Sequence, residues 1–167
     1  MKKTFTQKFW SNRSRKGFTL VELVMAIAIL AVIAAIAIPV VSSVIKSANQ
    51  NTDRNNAKTV DLLLKEAYTE IQAGISEKYN STTYPDKTKT IAQQVTVATV
   101  LKDNGLGSLL SADEKSFAYK TDSYTDEKDK IRFYVSSNGA IEGKLVSEKG
   151  SDTEITPDMN LEQVCKK

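Results

Sequence analysis

A chain of 167 residues fits one long helix and a single compact domain better than two domains. With one cysteine, Cys165, and no histidine it has no intramolecular disulfide, no usual ligand set for zinc and no Ser/His or Cys/His pair, so neither enzymatic activity nor a cofactor is expected. The formal net charge of +3 is misleading as a guide to partners, because six of the 23 Lys/Arg precede the first acid; no nucleic-acid patch is indicated.

Those six, Lys2, Lys3, Lys8, Arg13, Arg15 and Lys16, form a basic leader. Phe18-Thr19-Leu20-Val21-Glu22 follows, and then 23 residues from Leu23 to Ile45 without a charge. As a helix this run covers about 35 Å, enough for the hydrocarbon core of a bilayer. Positive charge on its N-terminal side alone keeps the leader in the cytoplasm and sends the chain after Lys46 outside. Glu22 is the exception at the edge of the apolar stretch, and an acid near lipid needs a compensating partner. A secretory signal peptide would share the basic start, and Ala35-Ile36-Ala37 offers it a small-x-small cleavage site, but its apolar region should be only about 7 to 15 residues. A plain signal anchor fits the length and orientation yet leaves Glu22 and the Gly17-Phe18 junction without a role.

Lys16-Gly17-Phe18-Thr19-Leu20-Val21-Glu22, together with the uncharged run, resembles the class III signal of type IV pilins and pseudopilins. The resemblance covers residues 1 to about 50. It implies cleavage after Gly17 by a membrane peptidase, N-methylation of Phe18, and pairing of Glu22 with the N-terminal amine of a neighbouring subunit. The residues agree with it. Glycine before the cut lets a protease approach the backbone closely. Cutting there removes the basic anchor and leaves the apolar helix on the mature protein, with 17 basic against 20 acidic residues. Cleavage also creates an ammonium on Phe18, an opposite charge for Glu22 that would relieve its desolvation when subunits dock and would set their register. Many Gram-negative pilins close a C-terminal loop with a cysteine pair; the single Cys165 departs from that pattern and favours a Gram-positive or anaerobic source. Cys165 either cross-links subunits or is a terminal thiol without consequence.

Further along, Pro39 is the only proline or glycine between Phe18 and Gly74. It removes one helical hydrogen bond and collides with the carbonyl of Ala35, so a bend is expected. At the equivalent proline the resemblance implies local melting on assembly, and a simple kink is the alternative. From Ala57 the pattern turns amphipathic: Ala57, Val60, Leu64, Ala67 and Ile71 share one side, and Lys58, Asp61, Lys65 and Glu66 take the other. Residues 18 to about 75 thus read as one helix, roughly 87 Å long.

Beyond Gly74, Tyr79 to Thr90 reads as a surface loop. Asn80-Ser81-Thr82 is a formal glycosylation sequon that we expect to be unmodified in a bacterial host. Ile91 to Asn104 is ambiguous between strand and helix, with Gly105 favouring a helix end. Ser116–Lys120, Lys130–Ser136 and Ala140–Val146 are predicted strands, the last two joined at Asn138-Gly139 by a type I′ turn. Ile131, Phe133 and Val135 would share a face with Phe117 and Tyr119. Thr156-Pro157-Asp158 predicts a short helix from Pro157 to Cys165. In the acid-rich stretch Asp122 to Asp129, a calcium site is weighed against a solvated loop; the stretch lacks the EF-hand order, and Lys128 and Lys130 interrupt it.

The expected fold is therefore α+β: a long N-terminal helix, apolar then amphipathic, packed on a small antiparallel sheet. The expected division is 1–17 leader, 18–45 membrane and assembly helix, 46–75 amphipathic helix and 76–167 head. The resemblance implies a pilus subunit, or a pseudopilin of a secretion or DNA-uptake system; a membrane-anchored binding module that never polymerises is the reading from another class. Implied partners are other copies and minor pilins, the peptidase and methyltransferase, a platform protein, a motor ATPase and the membrane. The implied location is the cytoplasmic membrane before assembly and the cell surface after it.

Overall fold

The computed structural model describes residues 17–166, so the leader with its six basic residues and Trp10 lies outside the described residues. Helix α1 runs from Leu20 to Ala73 and is continuous through Pro39. Two compact units meet at Ser42 and Ser43 within it. In the first unit, every residue from 20 to 42 is exposed. The reason is local: a stretch that is apolar on all sides forms a helix readily but has no single face to present to a core.

In the second unit α1 is amphipathic and packs on the sheet. Ala57, Val60, Leu64 and Ala67 are buried and Ile71 is partly buried against the same core, as the three- and four-residue spacing predicts. The helix stops where Gly74 takes φ of 68°, with Ile75 N–H donating to Glu70 carbonyl (3.1 Å) and Gly74 N–H to Ile71 carbonyl (3.1 Å). That pairing is a Schellman closure, and it ends the helix at Ala73, two residues before the expected limit.

The sheet has three antiparallel strands in the order β2-β1-β3, with β1 at Ile131–Val135, β2 at Ile141–Leu145 and β3 at Thr153–Glu154. β1 and β2 pair in register from Ile131↔Leu145 to Val135↔Ile141. Their connection is not the type I′ turn expected at Asn138-Gly139. Only Gly139 has positive φ (76°), Gly139 N–H donates to Ser136 carbonyl (2.9 Å), and Ser136 N–H donates to Ala140 carbonyl (2.9 Å). This is the three-residue loop in which a left-handed glycine follows a turn.

The predicted strand Ser116–Lys120 is absent; Phe117 makes a single bridge to Leu110. Side chains take the place of its backbone. Tyr119 hydroxyl accepts from Phe133 N–H (3.2 Å) and Thr121 hydroxyl from Ile131 N–H (3.0 Å), so the open edge of β1 is capped by hydroxyls and the third strand comes from Thr153–Glu154. The aromatic face is nonetheless as expected: Phe117 and Tyr119 lie 4.7 and 4.8 Å from Phe133, ring centre to ring centre.

Tyr79 to Thr90 contains no helix or strand. Ile91–Gln94 (α2) and Val97–Asp103 (α3) resolve the ambiguous stretch as two helices, capped by Thr90 and Thr96, and Gly105 (φ 74°) follows the second. The break at Val95-Thr96 serves a long-range partner. Leu161 N–H donates to Val95 carbonyl (3.0 Å) and Val97 N–H to Met159 carbonyl (2.9 Å). Consequently the last helix, α4, spans only Leu161–Cys165 and starts at an Asn160–Gln163 capping box instead of at Pro157.

Candidate functional site

Gly17 and Phe18 precede α1 and are exposed, Phe18 at 89%. A Cβ built on Gly17 would meet nothing within 4 Å. Leu20 opens the helix because Thr19 and Glu22 form a reciprocal cap: Glu22 N–H donates to Thr19 Oγ1 (3.2 Å), and Thr19 N–H donates to Glu22 Oε2 (2.9 Å). Thr19 Oγ1 adds a third bond to the same carboxylate oxygen (2.9 Å). The acid at the edge of the apolar run therefore has hydrogen-bond partners within its own chain. Thr19-x-x-Glu22 is a legible capping signature, and reading Glu22 only as a charge in search of a partner missed it.

Downstream, the large apolar side chains from Leu20 to Ile45 are each about half exposed or more. A contiguous apolar surface of this extent marks a contact with a membrane or with other chains. The helix is long and apolar enough to cross a bilayer. At Pro39 the ladder lacks one donor, and Ser42 Oγ donates to Ile38 carbonyl one turn further on (2.9 Å).

Residues 12–38 match the model of the prokaryotic N-terminal methylation motif. The matched segment is similar to the class III signal of type IV pilin-like proteins. The match spans Gly17, Phe18, Glu22 and the apolar run of α1 as far as Ile38. No curated protein and no solved structure matches the chain.

The head carries no comparable constellation among the described residues. In the stretch Asp122 to Asp129 each acid is drawn to a base instead of to a common centre: Asp122 to Arg132 (2.8 Å), Asp126 to Lys128 (2.8 Å), Glu127 to Lys130 and Asp129 to Lys46. No group of His, Cys, Asp or Glu among the described residues is arranged to hold a metal. Two stretches of 3-10 helix, Lys120–Ser123 and Glu127–Asp129, order this loop. Cys165 is half-buried against the core, and burial pushes its thiol up to about 11, with Asp61 adding to the shift and Lys65 opposing it. A thiol so placed is a poor nucleophile at neutral pH, which weakens the cross-linking alternative.

Sequence reasoning also missed Asp53, which is fully buried and accepts from the amides of Lys120 (2.9 Å) and Thr121 (3.0 Å). Its signal was available: Asp53 lies four residues before Ala57 on the same helix face.

Proposed function

We propose that the chain is a structural subunit of a type IV pilus. It inserts with its leader in the cytoplasm, is cut between Gly17 and Phe18, is methylated on Phe18, and joins a filament through the apolar half of α1. What carries this reading is the methylation motif running directly into a helix whose apolar side chains are exposed among the described residues. Identical heterologous contacts repeated along an axis give an open polymer. In the filament Glu22 pairs with the Phe18 ammonium of an adjoining copy, which fixes the axial stagger, and Pro39 is where α1 bends. No ATP-binding motif is present in the sequence, so a separate motor supplies the work of extraction.

Mass spectrometry of the native protein tests the first step. A mature chain that begins at a methylated Phe18 and has lost Trp10, the only tryptophan, supports the filament; retention of Trp10 leaves a membrane-anchored module. Replacing Gly17 by a bulky residue should block cutting and surface display together. Glu22→Ala subunits should be cut yet fail to polymerise. Electron microscopy then separates long surface pili from the short envelope-spanning stub of a pseudopilin.

A further inference from the structure

Between Ile45, where the apolar run ends, and Ala57, the first apolar residue of α1 in the core, the helix reads Lys-Ser-Ala-Asn-Gln-Asn-Thr-Asp-Arg-Asn-Asn. No apolar side chain in this stretch is buried. Polar contacts to the segment Lys120–Lys130 hold it instead. Asp53 accepts from the amides of Lys120 and Thr121 at 2.9 and 3.0 Å. One turn earlier Gln50 donates to Asp129 carbonyl (2.9 Å) and Asn49 to Tyr124 hydroxyl (3.0 Å), while Lys46 pairs with the Asp129 carboxylate. Of the three buried polar residues among those described, two, Asp53 and Thr121, meet here.

A contact of this composition differs in kind from the rest of the head. Hydrogen bonds within the protein replace bonds to water and leave a small net gain, whereas burial of apolar surface has no such exchange partner. Asp53 moreover regains its hydration when the contact opens. Segments with few apolar contacts open at low free energy, ahead of the core. We infer that Lys120–Lys130 is a releasable strap over Lys46–Asp53, which opens as one unit while the β1–β2 hairpin and the apolar core stay folded. Closed, the head holds α1 from Lys46; open, it holds α1 only from Arg54, whose backbone packs on Gly143 of β2, which releases about 12 Å of helix. The strap thus sets how much of α1 belongs to the head, and it does so whether or not the chain forms a filament.

Amide hydrogen exchange by NMR on the full chain in detergent micelles tests this. The Lys120 and Thr121 amides, bonded to Asp53, should exchange about tenfold or more faster than the β1–β2 ladder. The double variant Gln50→Ala with Tyr124→Phe removes contacts at the other end of the strap and touches neither amide. It should still speed both amides severalfold, with the ladder unchanged, because the strap opens as a whole. Exchange of the two amides as slow as the ladder, no response to the double variant, or equal acceleration of the ladder would each overturn the strap.

Discussion

One helix, α1, behaves in two opposite ways. From Leu20 to Ile45 it is almost wholly apolar and its side chains are exposed; from Ala57 to Ala67 six of eleven positions are apolar, and those on the stripe, Ala57, Val60, Leu64 and Ala67, are buried while Leu62, off the stripe, is exposed. Burial within the chain follows periodicity, not hydrophobic content. A stripe at three- and four-residue spacing matches a flat partner such as a sheet, while a saturated surface needs a partner on every side and so is left for lipid or for other subunits.

The sharpest way to break that contrast is to make the same substitution in both halves. Leu64→Ala should destabilise the head by about 2 to 5 kcal/mol, as for a fully buried leucine. Leu30→Ala should leave head unfolding unchanged, because Leu30 is 62% exposed. Chemical denaturation of the two variants in detergent decides it, and a shared loss would mean that the halves are not distinct.

A second test probes how closely the amphipathic half is seated. Gly143 on β2 faces α1 so tightly that a Cβ there would stand 2.9 Å from Arg54 Cα and 3.3 Å from Ala57 Cβ. Gly143→Val should therefore lower head stability by about 1 to 3 kcal/mol through overpacking, measured by the same denaturation curves. A neutral result would show that helix and sheet can part at this point without loss.

The smallest effect concerns Cys165 at the end of α4. Its folded thiol stays protonated up to about 11 from an ordinary value of 9.0, so its contribution to stability is complete below pH 9 and is lost as pH rises from 9 towards 11. Alkylation by iodoacetamide at pH 8 should accordingly be much slower in the folded protein than in urea. Equal rates would place the thiol in water and restore it as a candidate for linking subunits.

Much of this was legible from residues alone where the signal is local. The apolar run, the Gly17-Phe18 junction, the stripe from Ala57, the stop at Gly74 and the β1–β2 hairpin each depend on neighbours a few positions apart. Two errors share a cause. The segment Ser116–Lys120 alternates like a strand, but the hydroxyl of Tyr119 and that of Thr121 occupy the edge of β1 that a strand would have taken. Thr153–Glu154 pairs with β1 as two residues only, too short to leave any period in the sequence. Glu22 was singled out for its charge, yet its cap to Thr19 is as plain in the sequence as the charge is.

By itself the sequence determined the methylation motif, the membrane-length helix and the division of α1 into saturated and striped halves, because hydropathy and its period act over single turns. Tertiary structure alone decided which segments flank β1, that Gly143 admits the helix backbone, and that Asp53 is buried under the amides of Lys120 and Thr121. These choices join residues far apart in the chain, where the preference of one partner is set by the space and the hydrogen-bond donors that the other leaves open.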